Sequence, residues 1–77
     1  IAEFEYNWNE QEIWLPKLMV NLKIMNSTSE GVRMIKQGGI YLDGERVADD
    51  KIKIEVEREY LLKVGKRGFY RLRGNVA

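Results

Sequence analysis

Residues 27–47 read STSEGVRMIKQGGIYLDGERV, and this stretch decides the fold. Ser27 and Glu30 form a capping box, in which the serine hydroxyl accepts a hydrogen bond from the amide of Glu30 and the glutamate side chain returns to the amide of Ser27. The pair Gly38-Gly39 stops a helix by supplying a left-handed cap. The stretch therefore predicts a helix that begins after Ser27 and ends before Gly39.

The predicted helix has two unlike faces. With about 100° between successive residues, Gly31, Val32 and Ile35 cluster on one side, which we expect to pack against the core. The opposite side carries hydroxyl, amide and basic groups, on Ser29, Arg33, Lys36 and Gln37. One face is therefore predicted to be buried, and the other to be polar, basic and exposed.

A tight hairpin is predicted directly after this helix. Asp43-Gly44 is a strong signal for a two-residue turn, because both residues of such a turn need positive φ. The turn pairs Tyr41 with Arg46 on one face of the hairpin, and Ile40 with Val47 on the other. Tyr41 and Arg46 should therefore stand side by side.

Two elements are predicted on the N-terminal side. Apolar residues recur at helical spacing at Leu15, Leu18, Met19 and Leu22, and Asn26-Ser27 should end that helix. Aromatic residues recur at period two at Phe4, Tyr6 and Trp8, which predicts an extended strand whose rings pack rather than stack on bases. We therefore divide the chain into an N-terminal extended segment or linker, residues 1–12, and one domain, residues 13–77.

The last hairpin concentrates positive charge. With Gly68 in a left-handed bulge position, a loop of Lys66-Arg67-Gly68 pairs Val64 with Tyr70, and Leu62 with Leu72. In that register the outer face and the tip carry five cations, Lys63, Lys66, Arg67, Arg71 and Arg73. The nearest acid in the sequence is Glu59, so local acid partners do not explain these cations. Before this hairpin, residues 51–56 alternate and predict a third strand or a connection along the surface.

Composition narrows the functional classes. The 77 residues contain no Cys and no His, which argues against disulfides, zinc sites and ordinary acid–base catalysis. No apolar run approaches the roughly 20 residues of a membrane span, so we expect a cytoplasmic location and no membrane partner. The net charge of +1 hides an asymmetry, because four acids fall in residues 1–14 and no acid falls in residues 60–77. The start at Ile1, without Met, suggests a fragment of a longer protein.

Two blocks of the sequence carry a family resemblance. Residues 27–47 resemble the RNA-binding domain first recognised in small-subunit ribosomal protein four. Three details, KQGGIYL at residues 36–42, GERV at residues 44–47 and VGKRGFYRLR at residues 64–73, are similar to the C-terminal domain of bacterial-type tyrosyl-tRNA synthetases. The chain departs from that pattern at Gly31-Val32-Arg33, where the family usually has an Ala followed by two adjacent cations, so that one cation is missing here. It also departs at Asp43, where Asn is common.

The resemblance implies an α+β fold, with two short helices packed on a small, mainly antiparallel sheet, and tRNA as the partner. It implies contacts to the variable arm and anticodon stem, and no catalytic residue, metal or cofactor in this fragment. ATP and tyrosine would bind an absent catalytic domain, through which the parent synthetase would form a homodimer. The residues expected to contact RNA are Thr28, Ser29, Arg33, Lys36, Gln37, Tyr41, Arg46, Lys63, Lys66, Arg67, Arg71 and Arg73.

Two alternatives stay open at this point. The same domain type occurs in RNA-modifying enzymes such as pseudouridine synthases, which would keep the RNA and change the parent. A protein-interaction module is the other, with the aromatic strand and the helix residues Val20 and Ile24 as its surface and the basic hairpin as a solubilising element.

Overall fold

The computed structural model describes residues 1–66 and 68–77, and in them the chain forms an α+β domain. This confirms the predicted fold class. Within the described residues no helix is both long enough and apolar enough to cross a membrane. The helices and strands of the described chain are β1 (Ala2–Trp8), β2 (Glu12–Trp14), α1 (Leu15–Asn21), α2 (Thr28–Lys36), β3 (Ile40–Leu42), β4 (Glu45–Arg46), β5 (Lys53–Glu55), β6 (Tyr60–Val64) and β7 (Gly68–Val76).

The main sheet has the strand order β1-β7-β6-β3-β4. All neighbouring pairs in it are antiparallel except β1 and β7, which run parallel. The predicted third strand at 51–56 is shorter than expected, and it pairs with β2 in a separate small sheet instead of joining the main one. The core lies between the helices and one face of the main sheet, and its fully buried side chains include Leu15, Leu18, Met19, Ile35, Ile40, Leu62 and Leu72.

Both predicted helices form, with corrected ends. The Ser27 hydroxyl accepts a hydrogen bond from the Glu30 amide at 3.2 Å, as the capping box requires. The Glu30 carboxylate, however, accepts from the amide of Asn26 at 3.3 Å rather than from that of Ser27. Helix α1 ends at Asn21, before the predicted Asn26, because Lys23 adopts a left-handed φ of 62° and turns the chain out of the helix.

The first hairpin forms as predicted. Asp43 and Gly44 have φ values of 50° and 88°, and both lie in the left-handed region that the two-residue turn requires. Tyr41 pairs with Arg46 in the ladder, and the Val47 amide donates to the Ile40 carbonyl at 2.8 Å. The predicted juxtaposition of Tyr41 and Arg46 is therefore confirmed.

The register predicted for the last hairpin is wrong. Val64 pairs with Gly68 and Leu62 with Tyr70, where the sequence predicted Tyr70 and Leu72 as their partners. The turn starts one residue earlier because Gly65, with φ at 62°, takes the left-handed conformation that we expected at Gly68. The shift is two residues, so it leaves every side chain on its predicted face.

The N-terminal segment is a strand at one edge of the main sheet, beside β7. Its aromatic side chains are half-buried against the core, and the Phe4 ring stacks on that of Tyr70 with 5.8 Å between ring centroids. Tyr6 pairs with Gly74, where a β-carbon would lie 2.6 Å from the Tyr6 ring and 2.5 Å from the Val56 carbonyl oxygen. The close fit of β1 on β7 therefore depends on a glycine at position 74.

Candidate nucleic-acid interface

Helix α2 presents its polar face to solvent, as its periodicity predicts. Ser29, Arg33, Lys36 and Gln37 are exposed, while Ile35 on the opposite face is buried. Lys36 lies 3.7 Å from the Asp50 carboxylate and keeps 68% of its side chain exposed. Such an exposed pair holds the lysine weakly, so its ammonium stays accessible.

Arg46 links the first hairpin to the end of α2. A β-carbon at Gly38 would lie 3.1 Å from Nη1 of Arg46, so the guanidinium lies against the turn that follows the helix. The end of a helix carries partial negative charge on its free carbonyl groups, which favours a cation there. The structure thus brings Arg46 next to the basic face of α2.

The tip of the last hairpin reaches the same place. The Gly65 amide donates to the Gly39 carbonyl oxygen at 2.7 Å, which fixes the tip beside the C-terminal end of α2. Lys66 follows directly and is exposed. A groove between α2 and β6 is lined by Ile24, Met25, Glu30, Arg33, Met34, Gln37 and Val64. Arg67, which the sequence also assigns to the tip, lies outside the described residues.

A row of aromatic and cationic side chains crosses the outer face of the main sheet. Arg46, Tyr41, Lys63 and Phe69 are neighbours on β4, β3, β6 and β7. The Lys63 ammonium lies 5.1 Å from the centroid of the Tyr41 ring and 5.7 Å from that of Phe69. Phe69 was missed by the sequence reading, although strand alternation with the inward-facing Tyr70 and Leu72 could have placed it outside. We call these four residues the aromatic row.

Arg71 and Arg73 have acidic neighbours that the sequence reading missed. Arg71 lies 3.6 Å from Glu3 and 3.6 Å from Glu59, and Arg73 pairs in register with Glu5. Local sequence suggested no such acids because Glu3 and Glu5 are far away along the chain, and the parallel pairing of β1 with β7 brings them together. The inference that acids do not account for the hairpin cations is therefore wrong for Arg71.

Four other cations differ in this respect. Among residues 1–66 and 68–77, no carboxylate forms an ion pair with Arg33, Arg46, Lys63 or Lys66. Arg73 also has no ion pair with the described carboxylates, but it has an acidic strand partner, Glu5, and none of these four residues has one. We call these four residues the open cations. All of them border the C-terminal end of α2 or the aromatic row, so their charges act on one region of solvent.

The start of α2 is less suited to an anion. Thr28 and Ser29 begin the helix, where free amides and the helix dipole favour negative charge. Glu30 already places a carboxylate in that first turn, with its oxygen on the Asn26 amide. A phosphate near Thr28 would therefore meet electrostatic repulsion, and the contacts predicted for Thr28 and Ser29 stay predictions.

A shifted pKa occurs away from this surface. Burial raises the pKa of the Tyr6 phenol to about 12, and the electrostatic influence of Tyr60 adds to the increase. Tyr6 lies on the core side of β1, opposite the outer face that carries the cations. Within the described part of the chain, no cluster of carboxylates could hold a metal ion. The candidate site itself is an exposed surface with several cations.

The fold and this surface define a small α+β domain with an open, basic face. The chain belongs to the family described as the tyrosine–tRNA ligase SYY-like C-terminal domain, whose model matches residues 3–72. The predicted resemblance to synthetase C-terminal domains is thereby confirmed.

Similar proteins named tyrosine–tRNA ligase occur in several bacteria. The protein from Desulfotalea psychrophila is 51% identical over 72 residues, which is 94% of this chain and 18% of that protein. The protein from Moorella thermoacetica is 46% identical over 68 residues, covering 88% of this chain and 16% of its own length. The protein from Thermotoga maritima is 45% identical over 64 residues, covering 83% of this chain and 16% of its own length. The chain spans less than a fifth of these relatives.

Proposed function

We propose that this chain binds tRNA as the C-terminal domain of a tyrosyl-tRNA synthetase. The family membership and the relatives named tyrosine–tRNA ligase support this proposal. Under this proposal, tyrosine is ligated to tRNA in a catalytic domain that lies outside this chain. That catalytic domain binds ATP and tyrosine, and the synthetase forms a cytoplasmic homodimer through it. The chain itself supplies binding energy and orientation.

The open cations carry the proposal. Arg33 on α2, Lys66 at the hairpin tip and Arg46 over the end of the helix converge on one region, through the Gly65–Gly39 hydrogen bond and the Arg46–Gly38 contact. Uncompensated cations attract phosphates, whereas cations that already have a carboxylate partner contribute less to the external field. This convergence favours a polyanion as the ligand.

The mode of binding follows from RNA geometry. Side chains cannot read the deep, narrow major groove of an A-form helix, so the cations would grip phosphates and recognise the shape of the RNA. Lys36 and Gln37 would extend the contact along α2, and the predicted target is the long variable arm with the anticodon stem. Thr28 and Ser29 lie beside the Glu30 carboxylate and would contribute less. Arg71 and Arg73 belong to this surface in a lesser role, because Glu3 and Glu5 lie beside them.

The affinity of this domain alone should be modest. Each phosphate neutralised contributes a log–log salt slope of about −0.7 to −0.9, and a handful of contacts confers limited strength at moderate salt. Other contacts made by the parent synthetase would add to the affinity through effective concentration. We therefore expect binding that is measurable at low salt and weak at moderate salt.

The test is a titration of the chain with tRNA at low salt. Replacing Arg33 and Lys66 with Ala should weaken binding by at least about tenfold, since each charge-assisted contact contributes about 1 kcal/mol or more. The matched control removes the same charge elsewhere, with Lys17 on α1 and Lys53 on β5 changed to Ala. Equal losses in the two double variants would show a non-specific charge effect and contradict the proposal.

The protein-interaction alternative is less well supported. Its proposed surface comprises the aromatic strand β1 together with Val20 and Ile24, and all of these side chains are partly buried against the core of the chain itself. Tyr6 lies over Gly74 and Phe4 stacks on Tyr70, so these rings have a structural role in holding β1. An affinity for tRNA that does not respond to salt would revive this alternative.

A further inference from the structure

The aromatic row differs from the rest of the outer sheet face. Along β7, Arg71 and Arg73 lie in rows that contain Glu3 and Glu5, because β1 runs beside them. The pairing of β1 begins at Ala2, opposite Tyr70, so the acids of β1 do not reach the row of Phe69. That row holds two rings and two cations, and none of its members on β3, β4, β6 and β7 is an acid.

Phe69 is an exposed aromatic residue on the outer face of the sheet, away from the core. Its side chain is 39% exposed, and the other large apolar residue this exposed in the described chain is Ile1 at the terminus. It lies on β7, which has β6 on one side and β1 on the other, and it faces away from the core. A ring at this position contributes little to burial, and a surface that offers planar rings beside cations is what unpaired nucleobases stack on.

We propose that Phe69, Lys63 and Tyr41 form a stacking site for an unpaired nucleotide of the bound RNA. This proposal rests on the proposed function and specifies which element of the RNA is bound. The base lies on the Phe69 ring or between the two rings, and the Lys63 ammonium, now 5.1 Å and 5.7 Å from the ring centroids, moves to the nucleotide phosphate. Arg46, next to Tyr41, binds the neighbouring phosphate and joins this site to the open cations at the end of α2.

The geometry selects an unpaired nucleotide over a duplex. Neighbouring strands are about 4.8 Å apart, so Tyr41 on β3 and Phe69 on β7 stand about 10 Å apart across β6. That separation leaves room for one flat ring system once the lysine moves, since stacked rings lie about 3.5 Å from each other. Bases inside a duplex are already stacked and cannot insert, whereas a base in a loop or bulge can.

Three RNA probes test the site in binding titrations with the full chain: tRNA, a short single-stranded RNA of adenosine and cytidine, and a fully paired RNA duplex. Phe69→Ala should weaken binding of the single-stranded RNA and of tRNA by about fivefold, the lower end of a base–aromatic stack, and leave the duplex unchanged. Phe69→Tyr keeps an aromatic ring at this position, so it should bind the single-stranded RNA with the affinity of the unchanged chain. Phe69→Leu keeps the apolar volume without the planar ring, so it should behave like Ala.

A direct signature accompanies the affinities. Stacking of an adenine should shift the ring-proton NMR signals of Phe69 upfield during titration with the single-stranded RNA. When affinity is measured over a series of salt concentrations, Lys63→Ala should lower the magnitude of the log–log slope by about 0.7, because one phosphate contact is lost. Phe69→Ala should leave that slope unchanged. The folded state of each variant is checked by its circular dichroism, and Phe69 faces solvent, so its removal leaves the core intact.

The outcomes separate the two proposals. If the chain binds tRNA through Arg33 and Lys66 but Phe69→Ala has no effect, or weakens the duplex equally, the stacking site is wrong and the proposed function stands. If the chain binds none of the three RNAs at low salt, the proposed function fails and the stacking site with it. If the Phe69→Leu variant binds the single-stranded RNA as tightly as the unchanged chain, the contact is merely apolar and the stacking site is wrong.

Discussion

Two basic regions of this small domain look alike in sequence and differ in the folded chain. Arg71 and Arg73 on β7 have Glu3, Glu5 and Glu59 as neighbours, whereas Arg33 and Lys66 near the end of α2 form no ion pair with the described carboxylates. The difference arises mainly from the parallel pairing of β1 with β7, which supplies Glu3 and Glu5, and Glu59 adds to it from directly before β6. Strand topology, more than composition, decides which cations stay available to a polyanion.

The largest effect should come from breaking that strand pairing. At Gly74 a β-carbon would lie 2.5 Å from the Val56 carbonyl oxygen and 2.6 Å from the Tyr6 ring, so Gly74→Ala forces β1 or the backbone near Val56 to move. We expect the free energy of unfolding to fall by about 1–3 kcal/mol, as for other overpacked sites. Chemical denaturation measures this change. The control Asn75→Ala, at the next and exposed position, should change stability by much less.

A smaller effect should come from removing an acid while the strand stays in place. Glu3→Gln frees Arg71 from one of its two carboxylates and removes a charge that repels phosphate. We expect tRNA affinity at low salt to rise about two- to fivefold, in line with exposed charge pairs of about 0.4–1 kcal/mol. Glu12→Gln on β2 removes the same charge from a carboxylate that forms no ion pair with Arg71, and it serves as the control. A rise of equal size in the control would mean that net charge alone sets the affinity.

A further effect is confined to alkaline pH and reports on how β1 packs. The raised pKa of Tyr6, about 12, means that the folded chain keeps the phenol proton at a pH where the unfolded chain loses it. The free energy of unfolding should therefore be unaffected by this group below pH 10, and should fall as the pH rises from about 10 to about 12. Tyr6→Phe should remove this part of the pH dependence. If the pH dependence of the free energy of unfolding between about pH 10 and 12 is the same in Tyr6→Phe, the Tyr6 phenol is exposed to solvent and its pKa is not raised by burial.

The centre of the chain could be predicted because its determinants are local. The Ser27 cap, the glycine stop and the Asp43-Gly44 turn each act within a few residues, and together they place Arg33 and Arg46 on exposed surfaces. Family resemblance then supplied the fold class and the proposed class of ligand. These are the parts of the candidate site that the sequence placed correctly on the surface.

The remaining features depend on contacts between distant residues. Hairpin register depended on whether Gly65 or Gly68 took the left-handed conformation, and the two glycines look equivalent in sequence. The pairing of residues 2–8 with β7 joins the two ends of the chain, and no local pattern encodes the partner of a strand. Phe69 was missed although both registers place it on the outer face, because the sequence prediction considered only the cations of that face.

The difference between the two basic regions is tested most directly by the salt dependence of tRNA binding in two double variants. Replacing Arg33 and Lys66 with Ala should reduce the magnitude of the log–log slope by about 1.4–1.8, because two phosphate contacts are lost. Replacing Arg71 and Arg73 with Ala removes the same charge and should change the slope much less, since Arg71 pairs with Glu3 and Glu59 and Arg73 lies in register with Glu5. Equal slope changes in the two variants, or a larger change for Arg71 and Arg73, would contradict the account.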